Sequence, residues 1–138
     1  MPSINSLDIT YLEMAKTWSN LSKALRKKVG CLIVKDGAII SDGYNGTPSG
    51  FDNCCETEDF ITKPEVIHAE SNAITKLSRS TQSSLDATMY VTISPCVECA
   101  KLIIQSGISR VVFGEVYRSE EGIDLLSKAG IRTDLVVF

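Results

Sequence analysis

Two runs rich in β-branched residues, Val29-Gly-Cys-Leu-Ile-Val-Lys35 and Ala38-Ile-Ile-Ser-Asp-Gly-Tyr44, flank the dipeptide Asp36-Gly37. A two-residue link of this kind readily adopts the left-handed backbone of a tight turn, so the runs are predicted to pair as an antiparallel hairpin. The rest of the chain has to be built around that hairpin. Ahead of it, Leu12, Ala15, Trp18, Leu21, Ala24 and Leu25 recur at helical spacing, which predicts a helix capped by Asp8 and ending near residue 24. Residues 45–64 show little periodicity and read as a long loop, which in a small domain is usually functional. Beyond it the patterns alternate, giving helices over 67–77, 96–106 and 120–129 and strands over 87–93, 110–116 and 135–138. Gly107 and Gly130 each stand just past a predicted helix, where a left-handed stop is favoured. The order α-β-β-α-β-α-β-α-β predicts an α/β fold: a five-stranded mixed sheet with helices on both faces and the later strands parallel.

With 138 residues, the chain is expected to form one domain, 1–138. It has no apolar run of membrane-spanning length, and residues 1–8 lack the basic start and apolar stretch of a secretory signal. Five cysteines, an odd number, argue against a disulfide framework. A reducing cytoplasm is therefore expected, that of the host if the chain is viral. The formal net charge of −3 disfavours an extended basic face. Small molecules are favoured as partners over membranes or nucleic acid polymers.

The chemistry centres on the one histidine of the chain, in His68-Ala69-Glu70, and on Pro95-Cys96-Val97-Glu98-Cys99. Cysteines three apart on a helix project to the same side, so Cys96 and Cys99 can reach one metal. Zinc accepts thiolate and imidazole, and three protein ligands leave a fourth position for water, the catalytic pattern. A closed structural site would have to recruit a further cysteine, with Cys54 and Cys55 the nearest spares. Glu70, two residues from His68, is placed to move protons to and from such a water. Taken alone, the Cys-x-x-Cys could equally be a redox pair, and His68 a capping or surface residue; the combination favours the metal.

His-x-Glu followed by Pro-Cys-x-x-Cys is the signature of zinc-dependent deaminases. The resemblance extends through Arg26-Lys-Lys-Val-Gly-Cys31, Gly43-Tyr-Asn-Gly-Thr-Pro48, Asn53-Cys-Cys55, Ile67-His-Ala-Glu-Ser-Asn-Ala-Ile74, Ser94-Pro-Cys-Val-Glu-Cys-Ala-Lys101 and Val111-Val-Phe-Gly114. Together these blocks resemble the deoxycytidylate (dCMP) deaminases, in particular their compact phage and bacterial forms. That resemblance implies a cytidine deaminase-like three-layer sandwich and hydrolysis of dCMP to dUMP and ammonia, supplying thymidylate synthesis. It implies zinc on His68, Cys96 and Cys99, with Glu70 as the proton carrier. Substrate contacts would come from Asn45, from the backbones of Ala69 and Ser94, and from Arg26 and Tyr117. An effector site would use Lys28, Gly43, Tyr44, Asn45 and Gly46, with dCTP activating, dTTP inhibiting and Mg²⁺ accompanying the triphosphate. A homohexamer is the implied assembly. The single histidine leaves none for a second His-containing metal site, and Cys31, where relatives often carry alanine, reads as a small buried hydrophobe.

Other classes make different demands. A deaminase acting on RNA or DNA needs a basic groove and stacking aromatics, and only 7% of this chain is aromatic. A nucleoside enzyme has no use for Arg26 and Lys28 as phosphate ligands. A non-catalytic zinc module would close the metal with a fourth protein ligand.

Overall fold

The computed structural model describes residues 5–137. The hairpin forms where Asp36-Gly37 places it: β1 (Gly30–Lys35) and β2 (Ala38–Tyr44) pair antiparallel, with Asp36 and Gly37 at φ 51° and 76°. Around it lie α1 (Ser6–Ser19), α2 (Ala69–Leu77), β3 (Thr88–Val91), α3 (Val97–Gln105), β4 (Arg110–Phe113), α4 (Glu121–Lys128) and β5 (Arg132–Leu135). The sheet runs β2-β1-β3-β4-β5, with β1 antiparallel to both its neighbours and β3, β4 and β5 mutually parallel.

Strand alternation explains the three layers. Cys31, Ile33, Met89, Val91, Val111 and Phe113 join Ala69, Ala73, Ala100, Ile103 and Leu126 of α2, α3 and α4 in one core. The intervening residues Leu32, Val34, Tyr90 and Val112 meet Leu12 and Ala15 of α1 on the other face. Gly107 and Gly130 adopt φ of 80° and 82° just beyond α3 and α4, as expected of helix stops. No helix among the described residues is long and apolar enough to cross a membrane.

Two elements differ from the sequence expectation. The first helix is capped by Asn5 rather than Asp8: the Asn5 side chain accepts from the Asp8 N–H, and the Asp8 carboxylate accepts from the Asn5 N–H. Asp8 is buried and also receives Arg110 Nη1 and Nη2 at 2.9 and 3.0 Å and the Tyr90 hydroxyl at 2.6 Å. The helix stops at Ser19, not near residue 24. Tight turns at 20–22 follow, and the Ser22 hydroxyl donates to the Asn45 carbonyl, so Leu21 and Leu25 keep helical spacing yet stay exposed; Trp18, inside the helix, is exposed as well.

The last strand is Arg132–Leu135 rather than 135–138, and Phe138 lies outside the described residues. The polar segment pairs with β4, Arg132 opposite Arg110 and Asp134 opposite Val112; across the strands Asp134 accepts from Arg110 at 2.9 Å, and along its own strand it pairs with Arg132. β2 matches its expected bounds, and the remaining elements are shorter than expected by one to three residues at one or both ends, the usual fraying zone. One such trim has consequences, since it makes His68 and Cys96 the residues that precede their helices.

Candidate active site

His68 and Cys96 are the N-cap residues of α2 and α3, and neither side chain caps its own helix. Both are thereby free to face a shared point, where Cys99, one turn into α3, joins them. His68 Nδ1 lies 3.3 Å from Cys99 Sγ and 3.6 Å from Cys96 Sγ, and the three ligand atoms fall within 4.8 Å of one another. Donors on one tetrahedral zinc, at bond lengths of about 2.0–2.3 Å, stand roughly 3.6–3.8 Å apart, so this set fits zinc. Among the described residues, the one cluster of three or more such groups is this trio; Cys54 and Cys55 are outside it. Three ligands of this kind would leave the fourth position of a tetrahedral zinc for water.

Electrostatics favour a metal as well. Hydrogen bonds from Cys99 and His68 draw the Cys96 thiol down to about 3, and the positive end of α3 acts in the same direction. Cys99 is pushed up because it holds its proton toward that thiolate and is buried. His68 is raised chiefly by its bond to Cys96. Glu70, 4% exposed, has its carboxyl pushed up to about 7 by burial, against the pull of its own backbone N–H and of His68. Cys31 is fully buried and its thiol is raised well above the usual range by burial, as expected of an inert core residue.

A cleft of about 390 Å³ opens beside the trio. His68, Glu70, Cys96, Ala69, Ser94, Asn45, Arg26 and Tyr117, all singled out from sequence, line it; so do Lys27, Glu56 and Arg118, which were not. All three come from loops; Lys27 stands inside the Arg26–Cys31 block without having been singled out, and Glu56 and Arg118 carry no periodic or motif signal. The Asn45 side chain is largely engaged by the chain itself, accepting from the Val29 N–H at 2.9 Å and donating to the Lys27 carbonyl at 2.8 Å. Ser94 gives its N–H to the Glu115 carbonyl and its hydroxyl accepts from the Tyr117 N–H at 2.7 Å.

The residues expected to hold an effector divide. Gly43, Tyr44 and Gly46 line a second cleft of about 450 Å³ together with Lys76 and Arg79, whereas Asn45 belongs to the first cleft and exposed Lys28 lines neither. Gly43 has a packing duty too, because a Cβ there would stand 2.5 Å from the Ala69 carbonyl oxygen and 2.8 Å from the Ala73 nitrogen.

A family model described as the cytidine and deoxycytidylate deaminase zinc-binding region matches residues 5–115. The chain belongs to this family. It is 38% identical over 165 residues to the deoxycytidylate deaminase of Enterobacteria phage T4, covering 88% of this chain and 86% of that protein. The deoxycytidylate deaminase of Saccharomyces cerevisiae is 35% identical over 136 residues, covering 91% of this chain but 43% of the yeast protein. Among solved structures, the dCMP deaminase of cyanophage S-TIM5 in complex with dCMP and dUMP superposes with a TM-score of 0.94. That match has 40% identity and covers 98% of this chain and 100% of that chain. The sheet, the helices and the zinc-binding region are those of a zinc-dependent deaminase.

Proposed function

We propose that this chain converts dCMP and water to dUMP and ammonia. The observation that carries the reading is the cluster of His68, Cys96 and buried Cys99 at the wall of one cleft that also holds buried Glu70 and the cations Arg26 and Arg118. Zinc held by His68, Cys96 and Cys99 would supply an acidified water at neutral pH and positive charge beside the reacting carbon. Glu70 takes a proton from the attacking water and delivers it to N3 of the base. It then carries the second water proton to the 4-amino nitrogen, which leaves as ammonia. The Ala69 N–H, in the first turn of α2, suits the O2 carbonyl of cytosine, and the Ser94 carbonyl accepts from the 4-amino group. Arg26 and Arg118, with the Tyr117 hydroxyl, offer donors to one phosphate. Arg118 lies over the Tyr117 ring at 5.4 Å, which orders the pair.

Regulation and assembly extend the same reading. The second cleft, with glycine backbone, Lys76 and Arg79, suits a triphosphate accompanied by Mg²⁺; dCTP is the proposed activator and dTTP the inhibitor. A homohexamer is the proposed assembly, and dUMP for thymidylate synthesis the proposed role. Turnover of dCMP, CMP and deoxycytidine by zinc-loaded protein tests the substrate. A preference on the order of 100-fold for dCMP over deoxycytidine is expected from charge-assisted phosphate contacts, and equal rates would defeat the nucleotide assignment.

A further inference from the structure

The sulfur atoms of a thiolate metal site themselves accept hydrogen bonds, and the groups that donate to them help set how tightly the metal is held. Cys99 is 1% exposed, so bulk water is kept from its sulfur. A protein donor is at hand: Ser71 Oγ of α2 lies 3.6 Å from Cys99 Sγ, an ordinary length for a contact to an atom as large as sulfur. Ser71 follows His68 by three residues, which puts both on the side of α2 that meets α3. One brings a ligand and the other a hydroxyl. A serine within a helix often returns its hydroxyl to the carbonyl four residues earlier. Here that carbonyl, of Ile67, receives the Gly46 N–H at 3.1 Å, and the Ser71 hydroxyl faces the sulfur.

We infer that Ser71 is a positioning residue for the metal, donating its hydroxyl hydrogen to the Cys99 thiolate. This rests on the zinc reading of the trio and adds a group outside it. Protonation decides the direction of the bond. In the metal-free pair either atom can donate, but a thiolate that binds zinc has no proton, so the serine alone can supply one. His68 Nδ1, which faces Cys99 Sγ at 3.3 Å and Cys96 Sγ at 3.6 Å, gives up its hydrogen-bonding role once it binds the metal. The Ser71 hydroxyl is what stays on the Cys99 sulfur. A hydrogen bond to an ionised acceptor is about twice as strong as a neutral one, so it fixes the Cys99 side chain and spreads its charge. Ser71 stands behind the cleft wall rather than in it, so its contact acts on the metal site and not on a substrate.

The test uses three variants of the zinc-loaded protein. Ser71→Thr and Ser71→Val share a shape and differ in the hydroxyl, and Ser71→Ala removes the hydroxyl with a residue that favours a helix. Each is equilibrated with a chromophoric zinc chelator. The apparent zinc dissociation constant is expected to rise on the order of 10- to 100-fold in Ser71→Val and Ser71→Ala, the usual effect of losing such a partner, and to keep its wild-type value in Ser71→Thr. Cobalt(II) in place of zinc gives a second readout that packing alone would not move. A thiolate without its hydrogen bond gives up electrons more readily, so the sulfur-to-cobalt charge-transfer band should shift to longer wavelength in Ser71→Val and Ser71→Ala and stay in place in Ser71→Thr. Wild-type zinc partition with an unmoved band in the hydroxyl-free variants overturns the assignment. Equal loss of affinity in Ser71→Val and Ser71→Thr also overturns it, since it would mark a packing effect. Two hydroxyl-free variants are made so that if one fails to fold the other decides. Wild type that takes up no zinc would sink the zinc reading along with this one, whereas wild type with one zinc per chain and variants indistinguishable from it would sink this one only.

Discussion

His68 Nδ1 stands 3.3 Å from Cys99 Sγ across 31 residues of chain, because α2 and α3 bring their N-terminal ends to the same place. The ligand set is thus a product of the fold, and binding a metal to it stabilises the fold in turn.

Zinc content is the first expected outcome. Cys96→Ser and Cys99→Ser should each lose most bound zinc, whereas Cys54→Ser and Cys55→Ser should retain about one ion per chain, since three ligands suffice for a catalytic site. Elemental analysis of the purified variants checks this, and zinc loss on replacing Cys54 or Cys55 would mean a closed four-ligand site.

Acid stability should depend on Asp8. Burial by itself would raise its carboxyl, but hydrogen bonds from Arg110, Tyr90 and the Asn5 backbone more than offset that and hold it below its usual value. A carboxyl lowered in the folded state adds stability that is fully present above its unfolded pKa, near ~4, and is lost as pH falls through the lower folded value. Asp8→Asn should therefore be less stable at neutral pH, on the order of 3 kcal/mol for a broken buried pair, with a flatter decline below about pH 4. Urea unfolding from pH 2 to 7 measures both, and parallel curves for the two proteins would remove Asp8 from the acid limb.

Much of this architecture was legible because short signals act locally. Asp36-Gly37 sets its own turn, and the short spacings His68-x-Glu70 and Cys96-x-x-Cys99 mark the candidate residues in the sequence, which the fold then brings together. The first helix was over-extended because Leu21 and Leu25 repeat at helical spacing, while the turn after Ser19 and the bond from Ser22 to Asn45 depend on a partner 23 residues away. The final strand was misplaced because Val136 and Val137 look more strand-like than Arg132–Leu135, whose pairing with β4 is joined by the ion pair of Asp134 with Arg110, a partner 24 residues away. Glu56 gave no signal at all, since the backbone it holds lies 30 residues upstream.

Gly43→Ala should destabilise the protein without touching the ligand set. The added Cβ would meet backbone atoms of α2 at 2.5 and 2.8 Å, and backbone cannot give way as a side-chain tip can. A loss of about 1–3 kcal/mol is expected from thermal unfolding, and an unchanged midpoint would show that α2 can shift away from β2.

Arg79→Ala should blunt the response to triphosphate. The residue lines the second cleft beside Lys76 and the glycine turn, so removing one cation should raise the dCTP or dTTP concentration for half effect on the order of tenfold. Kinetics of dCMP turnover with each effector measure it, and a wild-type curve unmoved by either nucleotide would remove the regulatory reading.

The most direct test of the central claim pairs zinc analysis with turnover on one preparation of Glu70→Gln. The side chain is buried at the cleft beside the ligand set but is not one of the three ligands. About one zinc per chain should remain while ammonia release from dCMP falls on the order of 10²- to 10⁴-fold, the range for a lost general acid and base. Wild-type ammonia release from the zinc-loaded variant would contradict the account.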